Sequence, residues 1–195
     1  MLSSSLLKLA LVAGIFCGPS PSEIDVAVLV GEIRVPLGVQ FHFSEAASAL
    51  PPPGRLPVDD AHDRGHGVET FCYSSRIPQG VSLLELFDSD FGLHTARISW
   101  VETGETTCTQ LDSTPTFLVG DQKYSLANEA LSAPLGWTSK KDGDTTVFER
   151  EWTYTDPSRP HMWDSCFSRG IYIRIKRDEN ATRSITVQNW EEPGC

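Results

Sequence analysis

The stretch TTVFEREWTYT, residues 145–155, places Glu149 and Glu151 on either side of Arg150. In an extended strand, residues two apart share a face, so these carboxylates stand about 7 Å from one another. Two carboxylates at such a separation could serve as acid and base in a hydrolase. The same alternation turns Phe148, Arg150, Trp152 and Tyr154 to the opposite face. The plainer reading makes Glu149 and Glu151 the wet face of a half-buried strand and the aromatics its core face. It accounts for every residue of the stretch, so it takes precedence.

Histidine offers the other ionisable candidates. His94 opens a strand-like segment, His161 lies in a proline-bounded loop, and His42 alternates with Phe41 and Phe43. A hydrolase would pair His94 or His161 with Glu149 or Glu151 in one cleft. No GxSxG, HExxH or phosphate-binding loop accompanies them, and no nucleophile is visible. Residues 59–66 (DDAHDRGH) concentrate metal-ligating side chains, with His62 and His66 four apart. That spacing aims two imidazoles at one metal only on a helix, and the flanking prolines and glycines oppose a helix. A solvated acidic loop is expected there, with no metal and no cofactor.

Residues 156–164 (DPSRPHMWD) form a rigid loop rich in large side chains. Arg159, Met162 and Trp163 suit a recognition tip, because Trp and Arg dominate binding hot spots. Met162 and Trp163 would equally serve as a cap on the core just before Cys166. Both readings stand.

The elements that must position these groups belong to a chain of 195 residues with a formal charge of −10 and a sequence pI near 4.9. Its length fits one domain with a leader. An acidic surface repels phosphate backbones, so nucleic acid is not the expected partner. Residues 1–22 read as a signal peptide: Lys8 sits within an apolar run that continues to Cys17 and is too short to span a bilayer. Small residues at 20–22 place the mature start near Glu23. No later segment is apolar enough to cross a membrane, so the cleaved product is expected to be secreted and free of the bilayer.

Cleavage at that point removes Cys17 and leaves Cys72, Cys108, Cys166 and Cys195. In an oxidising compartment four cysteines make two disulfides, with three possible connectivities. Cys72–Cys195 with Cys108–Cys166 is preferred, since it ties the two ends of the domain and then crosses its middle. No CxxC or Cys-His spacing suggests zinc. Asn180-Ala181-Thr182 is an N-glycosylation sequon in a polar turn between two expected strands.

Residues 23–45 read as an N-terminal strand pair, broken by Gly31 and by Pro36-Leu37-Gly38. Residues 46–67 are rich in proline and glycine and suit a linker or long surface loop. Residues 68–195 form the main β-rich domain. Within it, Leu83, Leu84 and Phe87 could share one face of a short helix over 82–88. Residues 126–131 could add a helical turn or two. Strands are expected over 95–102, 116–119 and 145–155, and over a final hairpin of 170–176 with 184–190. In that hairpin Ile171, Ile173 and Ile175 face one side, while Tyr172, Arg174 and Lys176 face the other. The fold class is mainly β, an antiparallel sheet or sandwich with one or two short helices and disulfide staples; α+β is the alternative.

Leader, paired cysteines, a β-rich body and the lack of a catalytic signature together resemble the small secreted effector proteins of fungi. Phe71-Cys72, the expected short helix, the later strands and Cys195 resemble the ribonuclease-like effector group over residues 69–195. That resemblance implies a disulfide joining the two ends. Active secreted ribonucleases need histidine, glutamate and arginine converging on one sheet face, and no such set is evident here. Two functions follow: a secreted non-enzymatic binding protein, host-directed on the strength of the resemblance, acting on a protein or cell-surface partner; or, as the alternative, a secreted hydrolase, ribonuclease-like on the strength of the same resemblance.

Overall fold

A computed structural model of the chain describes residues 24–38, 48–51, 67–89, 92–101, 107–128, 131–155, 166–179 and 181–193. The expected β class is what these residues form. Twelve strands run in order: β1 (Val26–Val30), β2 (Ile33–Pro36), β3 (Val68–Ile77), β4 (Gln79–Ser89), β5 (Gly92–Trp100) and β6 (Thr109–Ser113), then β7 (Thr116–Val119), β8 (Gln122–Ser125), β9 (Thr138–Asp142), β10 (Thr145–Thr155), β11 (Cys166–Asp178) and β12 (Ala181–Pro193). They build a four-stranded sheet, β2-β1-β7-β8, and an eight-stranded sheet, β6-β3-β4-β5-β12-β11-β10-β9. Every pairing is antiparallel except β3 with β6.

One apolar core joins the two sheets. Val26, Val28, Val30, Phe117 and Val119 of the small sheet meet Leu84, Leu86, Ile98, Ile171, Ile173, Ile185 and Val187 of the large one. Tyr124 of β8 leans on Phe148 of β10, ring centroids 6.3 Å apart. The alternation in β11 follows the pleat: Ile171, Ile173 and Ile175 are buried and Arg174 and Lys176 are exposed. Leu50, within the proline-rich stretch, is also buried in this core.

The first two strands turn at Gly31, whose φ of 61° is a conformation that glycine adopts without steric penalty. They belong to the same body as the later strands. β1 pairs with β7, and the Leu37 and Gly38 backbone beyond β2 is tied to Val26, Leu93 and Asn189.

Two expectations are corrected. Residues 82–88 are not a helix but the middle of β4. Leu84 and Leu86 face the core, while Leu83 and Glu85 on the opposite face are buried as well. A strand covered on both faces carries a near-continuous apolar run, which imitates helical spacing. Residues 126–128 form a turn closed by Asn128 N–H donating to Ser125 C=O (3.0 Å), and helical backbone among the described residues is confined to Ser48 and Ala49.

The disulfide pairing is the second correction. Cys72 bonds to Cys108, with Cα atoms 5.0 Å apart, which excludes Cys72–Cys195 and Cys108–Cys166. Parallel pairing sets Tyr73 beside Thr109, so the residues just before them, Cys72 and Cys108, lie side by side. Cys166 is also disulfide-bonded; Cys195 lies outside the described residues.

Candidate functional site: the open face of the large sheet

Strand pairing fixes what the outer face of the large sheet displays. Glu149 lies opposite Tyr172, and Tyr172 opposite Gln188; Glu151 lies opposite Gly170, and Gly170 opposite Trp190. Arg174 and Thr186 form the next row. Over β3 and β4 this face is covered, with Cys72, Leu83 and Glu85 all buried and Arg97 ion-paired to Glu85. From β12 to β9 it opens: Tyr172 and Trp190 are half-buried, and Glu151, Arg174 and Lys140 are exposed.

Gly170 determines how the indole lies. A Cβ built on Gly170 would stand 2.4 Å from Trp190 Nε1 and 2.6 Å from Cε2, so the Trp190 ring rests directly on the glycine backbone. The Tyr172 ring, rooted two residues further along the same face, is inclined only 13° to the indole, with centroids 6.3 Å apart. Two adjacent, nearly parallel rings thus stand together on this face as a platform. The Trp190 Nε1 is buried at this contact.

Charged groups rim the platform. The Tyr172 hydroxyl donates to Glu151, and this bond, with partial burial, raises the phenol above its ordinary pKa. Arg174 stands 5.8 Å over the Tyr172 ring, within cation–π range. Glu149 is ion-paired with Lys140 of β9, which holds its carboxyl below the ordinary value and raises the lysine in turn.

The sequence candidates do not converge. Glu149 and Glu151 share the wet face, as their alternation indicates, but each already has a partner. His94 is the extra residue at a β-bulge, where Phe87 pairs with Thr95 and Asp88 with Leu93. Its Nδ1 lies 3.2 Å from the Gly92 carbonyl oxygen. Two strands separate β5 from β10, which puts three strand spacings, about 14 Å, between His94 and the glutamates. His161, Arg159, Met162, Trp163 and Asn180 lie outside the described residues.

On the core side of β10, Arg150 and Arg169 flank Trp152 at 5.9 and 5.7 Å from the ring centre. Arg169 also donates to Asn189, and Tyr154 to Glu191 over 2.5 Å. These contacts link β10, β11 and β12 at one end of the sheet. A cleft of about 560 Å³ at the strand ends is lined by Trp100, Asp144, Lys176, Asp178, Arg183 and Ser184 among others, with Arg183 paired to Asp178 at 2.8 Å. A smaller one of about 300 Å³ runs along Phe148 and Ile175. Neither contains a predicted catalytic residue. No group of three or more metal-ligating side chains occurs among the described residues, and no described helix is long and apolar enough to cross a membrane.

Sequence reasoning placed Tyr172 outward but missed the platform. Its signal is a glycine and a tryptophan that become neighbours only through the β11–β12 register. Comparisons of the chain with protein-family models, with curated proteins and with solved structures find no match.

Proposed function

We propose that this is a secreted, non-enzymatic binding protein that meets its partner with the open face of the large sheet, around Tyr172 and Trp190. The observation that carries the reading is the indole seated against Gly170 beside a nearly parallel phenol ring. Large amphipathic rings held rigid before binding lose little conformational freedom on contact. The acid–base alternative gains no such support. Glu149 and Glu151 stand on an open face, already paired with Lys140 and Tyr172, about 14 Å from His94. Secretion is supported by the leader-like N-terminus, by the Cys72–Cys108 bond and by the absence of unpaired cysteines among the described residues.

A joint array of glycans and extracellular proteins tests the reading. Wild-type protein should bind at least one class of ligand, and Tyr172→Ala and Trp190→Ala should each weaken that binding by about tenfold. Binding that ignores both substitutions would overturn the placement of the contact surface. Substrate turnover abolished by Glu149→Gln or Glu151→Gln would overturn the non-enzymatic reading.

A further inference from the structure

We infer that the Tyr172–Trp190 platform takes a neutral polysaccharide chain, an assignment that rests on the binding reading above. The argument begins with shape. An indole seated on Gly170 and a phenol inclined 13° to it form a half-buried aromatic pair on an open sheet face, not a protruding anchor and not a pocket. A protein partner is held mainly by side chains that fill well-packed pockets near the centre of an interface. A sugar ring instead offers a flat C–H face that can lie on an aromatic ring, with hydroxyls projecting round its edge.

The rim supplies partners for those hydroxyls. Glu151 keeps a carboxylate oxygen beyond the one that Tyr172 engages, Gln188 offers an amide beside Tyr172 on β12, and Arg174 brings donors from the next row of β11. A few polar groups set around an apolar contact fix the orientation of a ligand.

Charge selects among ligands with flat faces. Nucleobases also stack on aromatic rings, but their phosphates need a cationic groove. Here the two carboxylates beside the rings are balanced by Lys140 and Arg174, which leaves no cationic groove, and the chain carries a net −10. A polyanion is therefore repelled, whereas a neutral chain is not.

The test is sedimentation of the purified, oxidised protein with insoluble cellulose, chitin, β-1,3-glucan and starch granules. Immobilised heparin and single-stranded RNA serve as polyanion probes. Wild-type protein should be retained on at least one neutral polysaccharide and released by its soluble oligosaccharide. Retention should fall about tenfold in Trp190→Ala. Gly170→Ala keeps the indole but drives it off the sheet, and should give the same loss without unfolding, as judged by the melting curve. Retention on heparin or RNA alone, on none of the probes, or on a polysaccharide with Gly170→Ala as strong as wild type, would each overturn the assignment. Platform-dependent binding to proteins only on the array would overturn this ligand class while leaving the binding reading in place.

Discussion

The Asn189 side-chain amide donates to the Leu37 carbonyl over 2.8 Å, joining the end of the first hairpin to the last strand, β12, 152 residues away. Asn189 is buried, and its carbonyl oxygen accepts from Arg169 at 3.2 Å, so both ends of one amide are used. Together with the Gly38 N–H bond to Leu93 C=O at 2.8 Å, it ties the small sheet to the large one. Asn189→Ala removes the partner of a buried carbonyl, which should lower stability by about 1–3 kcal/mol. A urea midpoint that moves by less than the equivalent of about 0.5 kcal/mol would show that the hairpin docks without this bond.

The disulfide yields a covalent prediction. Non-reducing peptide mapping should recover Cys72 linked to Cys108, and recovery of Cys72 with Cys195 would refute the β3–β6 pairing. Closing a loop with a sequence separation of 36 stabilises by roughly 4 kcal/mol in the chain-entropy model. Replacing both cysteines by alanine should therefore lower the melting temperature markedly. The loss should begin at the β6 edge, where the bond holds the parallel strand in place.

Much of this architecture was legible in the residues. The isoleucine alternation of β11 marked its core face, and the alternation of β10 put Glu149 and Glu151 outward, because one-sided burial writes itself into a period of two. The helix expected over 82–88 failed because β4 is covered on both faces, which erases that period. β6, β8 and β9 are short and polar, so the sequence offered no apolar pattern to find them. The Cys72–Cys108 bond and the Gly170–Trp190 contact depend on which strands become neighbours. Cross-strand register is a tertiary property with no local signature.

The Lys140–Glu149 pair predicts a pH response. The folded-state pKa of Glu149 is depressed, so its contribution to stability is present above the unfolded value and lost as pH falls through the folded one. Lys140 is raised, so its contribution is lost as pH rises through its folded value. Lys140→Gln should move the Glu149 midpoint upward in an NMR titration, with little change in melting temperature because the lysine is 69% exposed. An unmoved midpoint would mean that the pair does not persist in solution.

Tyr73 offers a prediction of the opposite sign. Its ring is wholly buried against Phe71, its hydroxyl makes no hydrogen bond among the described residues, and burial raises its pKa. Deleting an unpaired buried hydroxyl removes a desolvation penalty, so Tyr73→Phe should be neutral or stabilising by up to about 1 kcal/mol. A loss of that size would instead reveal a bonding partner for the hydroxyl.

The platform is tested most directly through Gly170, since Gly170→Ala shifts the resting place of the indole and removes none of the side chains that would touch a ligand. Affinity for the ligand identified on the array should be measured by titration calorimetry for wild type and Gly170→Ala, with the melting curve as a check on folding. The account predicts that the variant stays folded and binds about tenfold more weakly. Equal affinity from an equally folded variant would contradict it, because the indole seated beside Tyr172 would then have no part in binding.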